Sequence, residues 1–246
     1  MKLKLFILLL CLAPFTSIVG QEFEVNGIRY TLVQERATED TVAYITKYSC
    51  AEPDDVIIPD SVHYSGKSFA VVGIEEFAFL GCSNLISINL PKSLKEIGAS
   101  AFYRCISLTS INIPNSVIYV GDYAFSDSRI RELKIDKATP NIGSAAFSSK
   151  NLNSISVSKN NRRYMVKDGV LFSKNRDTLF CYPAQKTDTL YNIPNGVKVI
   201  MPGAFSGCAH LKSVAISVSM SKIGDYAFFA CFSLEKLTKL SNIKSI

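Results

Sequence analysis

The sequence predicts a repeat solenoid, mostly strand with short helical turns, closed at its N-terminal end by a β-cap. Two observations carry that prediction. First, an Ala-Phe pair recurs at Ala78-Phe79, Ala101-Phe102, Ala124-Phe125, Ala146-Phe147, Ala204-Phe205 and Ala227-Phe228, with the phenylalanines 23, 23, 22, 58 and 23 positions apart. Second, each pair sits in a fixed frame. Gly98, Gly121, Gly143 and Gly224 stand four places before the Phe, Cys82, Cys105, Cys208 and Cys231 three places after it, and Leu85, Leu108, Leu211 and Leu234 six places after it. A period-2 strand follows, as in Ser87-Ile88-Asn89-Leu90 and Ser110-Ile111-Asn112-Ile113, twice closed by proline at Pro91 and Pro114. One short strand per period of about 20–29 residues marks stacked repeats. Such a unit cannot bury its apolar face alone and needs neighbours.

The phrases Ile97-Gly98-Ala99-Ser100-Ala101-Phe102-Tyr103-Arg104-Cys105 and Leu108-Thr109-Ser110-Ile111-Asn112-Ile113-Pro114-Asn115-Ser116-Val117 resemble the repeat of the BspA-like leucine-rich-repeat family. Asp168-Gly169-Val170-Leu171-Phe172, followed by Cys181-Tyr182-Pro183 and Ile193-Pro194-Asn195-Gly196-Val197, resembles the hairpin interruption common in those proteins. The resemblance covers residues 73–246, and the preceding region is similar to the family's N-terminal cap. It implies a secreted or surface-attached protein of bacterial or protist type, with some relatives associated with adhesion to host proteins. It supplies no catalytic residue.

The N-terminus is read as a secretory signal peptide over residues 1–20. Met1-Lys2-Leu3-Lys4 is a short basic start, residues 5–13 are apolar, and small and polar residues lead to Gly20. The apolar run is shorter than the roughly 20 residues a membrane span needs. Cys11 lies too early, behind the bulky Leu10, for a lipid-modified cysteine, so ordinary cleavage after Gly20 is expected, with no membrane insertion afterwards. Cleavage removes Lys2 and Lys4 and no acid, lowering the formal charge from +6 to +4. That mild charge argues against a dedicated nucleic-acid binder, which would show a basic stripe or a known module. The expected location is outside the cell or on its surface.

Six cysteines remain after cleavage. Cys82, Cys105, Cys208 and Cys231 occupy one repeat column. Rungs about 4.8 Å apart bring their Cα atoms close, but parallel Cβ vectors do not converge as a disulfide requires. The column is therefore expected to be reduced and buried. Cys50 and Cys181 stand outside it with no evident partner.

Residues 21–72 form the expected cap. Asn26-Gly27, flanked by Phe23, Val25, Ile28, Tyr30 and Leu32, signals a hairpin. Strands follow at 42–48 and up to Pro59, then a second hairpin at Ser65-Gly66-Lys67. The solenoid occupies residues 73–246. Its third and fourth units are degenerate, with Ser128 and Lys150 near the Cys position and one residue missing before Ile130 and Leu152. An insertion at about 158–189 holds a hairpin of 164–172 against 178–182. Asn242-Ile243-Lys244-Ser245-Ile246 reads as the opening of another unit, with no closing cap or C-terminal anchor recognisable.

Alternation turns two strand columns outward. One reads Ser87, Ser110, Glu132, Ser154, Ser213, Lys236; the other reads Asn89, Asn112, Lys134, Ser156, Ala215, Thr238. They are small and polar, whereas interface hot spots favour Trp, Tyr and Arg, and the chain has no Trp.

The residues assemble no recognisable chemistry. His63 and His210 belong to opposite ends, and there is no HExxH or paired CxxC. Gly66-Lys67-Ser68 resembles the end of a phosphate loop, but Ser61 stands where that loop needs glycine. No cofactor, metal site or enzyme activity is expected, although carboxylates brought together only in space are not readable from the chain. One stretch stands out: Lys159, Arg162, Arg163, Lys167, Lys174 and Arg176, interleaved with Tyr164, Phe172, Phe180 and Tyr182. It reads either as a basic hairpin that contacts an acidic protein or glycan, or as a solvated turn whose aromatics pack inward. The expected ligand surface is Arg162, Arg163, Lys167, Lys174 and Arg176. The expected function is a protein-interaction or adhesion module whose partner is a host matrix or surface protein. A non-binding spacer and a surface carbohydrate-binding protein remain as alternatives.

Overall fold

The structure, a computed structural model, describes residues 15–35, 38–50, 54–136 and 141–239. The start of the expected leader, Cys11 included, and residues 242–246 lie outside them. The chain winds as a β-solenoid, and no helix occurs among the described residues. The expected short helical turns are instead hydrogen-bonded turns whose bonds alternate in direction. Within one unit, Ala101, Tyr103 and Cys105 donate their N–H three residues back, to Gly98, Ser100 and Phe102. The intervening Ser100, Phe102 and Arg104 donate to Asp122, Ala124 and Ser126 of the next unit, at 2.7–3.0 Å. Half of each turn's donors thus close the turn and half stitch it to its neighbour, so a helix cannot propagate.

This alternation demands left-handed backbone at fixed places. Phe77, Ser100, Tyr123, Ala145, Gly203 and Tyr226 share one column with φ between 53° and 65°. Gly81, Arg104, Asp127, Gly207 and Ala230 share a second with φ between 56° and 75°. A left-handed non-glycine residue carries roughly 1–2 kcal/mol of strain, partly offset by the larger unfolded-state entropy of glycine. Arg104 contributes only an exposed ion pair with Asp127 at 3.8 Å and a cation–π contact with Tyr103. We therefore expect Arg104→Gly to be more stable than Arg104→Ala by roughly 1 kcal/mol in denaturant unfolding. Equal midpoints would show that the turn does not require this conformation.

The repeated glycine has a different cause. A Cβ on Gly98, Gly121 or Gly224 would lie 2.5, 2.4 or 2.3 Å from backbone nitrogen of the preceding unit. Only hydrogen fits where two turns stack this closely. Glu75 and Met201 hold the same place where the unit below is a strand: their N–H groups bond to Ile45 and Leu179.

Behind the turns the phenylalanine rings stack in two series rather than one continuous column. Tyr48, Phe79, Phe102, Phe125 and Phe147 form one series with centroids 4.8–5.4 Å apart. Tyr182, Phe205 and Phe228 form a second, at 5.1 and 4.9 Å. Tyr182 takes the phenylalanine place of the enlarged unit, since its N–H reaches Ala204 as that of Phe205 reaches Ala227. Cys181-Tyr182 therefore replaces Ala-Phe, 23 positions before Phe205. Phe228, in the last complete turn, is half-buried rather than buried, and Tyr226, Phe229 and Phe232 beside it are exposed.

Two strand stacks complete the unit. The anticipated one pairs Glu132–Ile135 with Ser154–Val157, and Leu190–Asn192 with Ser213–Ile216 and then Lys236–Lys239, all parallel. The other consists of two-residue strands, Glu96–Ile97, Tyr119–Val120 and Asn141–Ile142, then Val199–Ile200 and Lys222–Ile223. Two residues are too few to show a period of two, so this stack was silent in the sequence.

The insertion is a three-stranded meander, not a single hairpin. Tyr164–Lys167 turns at Asp168-Gly169 into Val170–Ser173, which pairs with Thr178–Cys181. Asp168 and Gly169 both have positive φ, at 51° and 78°, the combination a two-residue hairpin needs. The core divides here. Leu171 and Cys181 belong to the N-terminal cluster, whereas Val170, Phe172 and Tyr182 belong to the C-terminal one. The Tyr164 hydroxyl accepts the Ile142 N–H at 3.1 Å, tying the first strand of the meander to the N-terminal units.

At the N-terminal end, Phe15–Val25, Ile28–Glu35, Thr41–Tyr48 and Lys67–Ile74 lead into the two-residue ladder. The first strand begins upstream of the expected cleavage point. Its register is consecutive from Glu22 onward and shifts on both sides of Ile18. The cysteine expectation is corrected here: Cys82 is not a free thiol but is bonded to Cys50. The argument from parallel vectors does not reach this pair, because Cys50 approaches from outside the column, on the segment whose Tyr48 ring packs at a tilt against Phe79. Cys105, Cys181, Cys208 and Cys231 are free thiols, and Cys231 is only half-buried.

The outward columns hold, with two corrections. Glu132 and Lys134 align with Ser154 and Ser156, and Ser213 aligns with Lys236. Ala215 is buried, however, at 4 % exposure. Residues 110–113, expected as a strand, join no ladder among the described residues. Arg131 donates to Thr109 at 3.1 Å, and then the two segments part. The segment is unpaired on its other side as well: Leu85–Asn89 pairs with Asp54–Ile57 and not with 110–113, although the Phe-to-Leu spacing is six residues in both units.

Candidate functional site

The structure brings together four of the five residues expected to bind a ligand. Arg163 and Lys174 are neighbours across the meander, since the Lys174 N–H donates to the Arg163 carbonyl at 2.7 Å. Arg176 Nε lies 3.3 Å from the Met165 sulfur, and Arg162 adjoins Arg163. All four are exposed. Lys167 is exposed too, but it stands at the other end of its strand, beside the Asp168-Gly169 turn. The aromatics of the stretch face inward. Tyr164, Phe172 and Tyr182 are buried, and Phe180 packs edge-on against Tyr164. The surface is therefore cationic without an aromatic anchor. Asp177 beside it is held below the usual carboxylate range, first by the Thr178 hydroxyl.

The loop that carries Arg162 and Arg163 is pinned by Asn161, which is 1 % exposed. Its amide nitrogen donates to the Asp136 carbonyl at 2.8 Å. Its side-chain oxygen accepts the N–H groups of Arg163 and Tyr164 at 2.9 and 2.8 Å. Next to this loop, where the ladder breaks, lies a trough of about 520 Å³ formed by residues 112–115, 134–136 and 156–158. Sequence reasoning missed it, because residues 110–113 read as a strand like those of the other units.

A second concavity, of about 310 Å³, lies where the N-terminal strands meet the first turns. Tyr44, Glu75, Glu76, Glu96 and Tyr119 line it. Burial raises the Glu75 and Glu96 carboxyls, with further push from Glu22 and Glu35 respectively. Burial also raises the Tyr44 hydroxyl far above its usual range, helped by Glu96. Glu22, Glu35 and Glu96 come from separate strands and Glu75 from the turn that follows Lys67–Ile74, so no local spacing announced their meeting. A carboxyl raised on folding favours the neutral form. Its contribution to stability is complete below the unfolded glutamate value of about 4.3 and is lost as pH rises through the raised value. Glu96→Gln, which stays neutral, should be more stable than the parent at pH about 7, with the gap closing toward pH about 4. A gap independent of pH in thermal unfolding would refute the assignment.

Among the described residues no group of three His, Cys, Asp or Glu side chains is placed to hold a metal ion, and no helix is long and apolar enough to cross a membrane. The geometry defines a class: a repeat solenoid that presents surfaces built rung by rung. The chain belongs to the family described as BspA type leucine rich repeat region, which matches residues 72–168 and 178–246 in six copies. Comparison with curated proteins returned no match. Among solved structures, the pneumococcal vaccine antigen PcpA is similar over 90 % of this chain and 71 % of its own, at 22 % identity and a TM-score of 0.63. A leucine-rich-repeat protein from Eubacterium ventriosum is similar over 89 % of this chain and 71 % of its own, at 22 % identity and 0.59. A leucine-rich cell-surface protein from Faecalibacterium prausnitzii is similar over 90 % and 76 %, at 24 % identity and 0.52. At these identities the likeness shows the fold.

Proposed function

We propose that this protein is a secreted or surface-held interaction module that binds an acidic partner protein through the basic end of its meander. The observation that carries the reading is the clustering of Arg162, Arg163, Lys174 and Arg176 on one exposed, internally pinned element. The family and its bacterial cell-surface relatives support it. The strands before residue 73 act as the cap of the solenoid in this reading, and residues 1–20 as its export signal. Tyr30 and Tyr64 in the N-terminal strands provide no competing aromatic surface, because Tyr30 is 1 % exposed and Tyr64 is stacked on Phe23.

The test is binding of the secreted protein to immobilised host matrix proteins across a salt series. The triple variant Arg162→Ala, Arg163→Ala, Lys174→Ala should unfold like the parent, because all three side chains are exposed. It should lose roughly tenfold or more in affinity and much of its salt dependence, since exposed charges are screened beyond about 8 Å at physiological ionic strength. Unaltered affinity and salt slope would move the contact elsewhere.

A further inference from the structure

We propose that the trough beside the basic loop binds an anionic oligosaccharide. At about 520 Å³ it falls within the range of small-ligand sites, roughly 300–1,000 Å³. Its walls combine the Asn112 and Asn115 amides, the Ser156 and Ser158 hydroxyls, the Lys134 ammonium and the Asp136 carboxylate. Sugar hydroxyls donate and accept at once, and this set answers both needs. Ile113 and Val157, both only partly buried, supply apolar surface for the C–H face of a ring.

The charge at the rim selects among sugars. Ser158 lines the trough, and Asn161 ties the following loop to Asp136, so Lys159, Arg162 and Arg163 stand exposed beside it. Two acids oppose them. Glu132 is 3.6 Å from Lys134, and Asp136 accepts from the Asn115 amide at 3.2 Å. The balance remains cationic. A neutral sugar would use only the trough and a featureless polyanion only the rim. A sugar bearing sulfate or carboxylate uses both.

This inference shares the basic surface with the proposed function, and the experiment separates them. The secreted protein is titrated with a heparin-derived hexasaccharide, a hyaluronan hexasaccharide and neutral chitohexaose. Binding of an anionic sugar and at least tenfold weaker binding of chitohexaose are expected. Response to hyaluronan as well as heparin would identify carboxylate as sufficient; response to heparin alone would identify sulfate. Ser156→Trp and Asn112→Trp fill the trough from exposed positions and leave every arginine in place. Each should weaken binding at least tenfold without shifting thermal unfolding. Absence of anionic binding, equal binding of chitohexaose, or full affinity in both tryptophan variants would each overturn the proposal. The tryptophan variants should keep the protein partner of the meander, so either reading can fail alone.

Discussion

Replacing Phe102 with alanine is expected to lower the unfolding free energy by about 3–5 kcal/mol, the usual loss for a large buried aromatic. Phe102 is fully buried, with Phe79 and Phe125 stacked on its two faces at 4.8 and 5.1 Å. The backbone around it is committed to the next unit, because Ser100, Phe102 and Arg104 all bond across. The turn cannot collapse into the space the ring vacates, so the cavity persists. Tyr103→Ala is the control. Tyr103 is only half-buried, and its loss should cost far less. Similar shifts for the two variants in denaturant unfolding would break the claim that the ring stack holds the solenoid together.

Loss of the Cys50–Cys82 bond is the second large effect. The two residues are 32 apart, and closing a loop of that length restricts the unfolded chain by about 3–4 kcal/mol in the chain-entropy treatment. Cys50→Ala is the cleaner change, since it leaves Cys82 as a small buried apolar thiol. The variant should unfold earlier, and the N-terminal strands should exchange amide hydrogen before the solenoid does. Peptide mapping without reductant should recover Cys50 joined to Cys82 in the parent and show Cys105, Cys181 and Cys208 as free thiols. A parent that unfolds like Cys50→Ala would mean that the bond contributes nothing.

The five proposed ligand residues were legible as a charged stretch, but their arrangement was not. Spacing alone did not reveal that Lys167 points its strand end away from Arg163 and Lys174. It was decided by the turn at Asp168-Gly169, which sits inside what reads as one continuous strand. The neighbouring trough lies against residues 110–113, whose Ser-Ile-Asn-Ile phrase reads as a strand like Ser87-Ile88-Asn89-Leu90 but joins no ladder among the described residues. The acidic concavity was illegible for a stronger reason. Glu22, Glu35, Glu75 and Glu96 have no common period and meet only because the N-terminal strands and the two-residue strand Glu96–Ile97 share a sheet, with Glu75 at the end of one of its strands.

The chain by itself determined the repeat, its period, the ring stack within each run of units and the small polar faces of the strands. These follow from local constraints that each unit restates: a glycine where backbones touch, a phenylalanine that fills the turn, a leucine that opens the strand. The tertiary structure alone decided the partner of Cys82, the division of the core at the meander, the place of Tyr182 in the stack and the gap in the ladder. Each of these depends on where two units of unequal length or kind are pressed together. A repeat fixes what lies one period away, and says nothing of contacts made across an interruption.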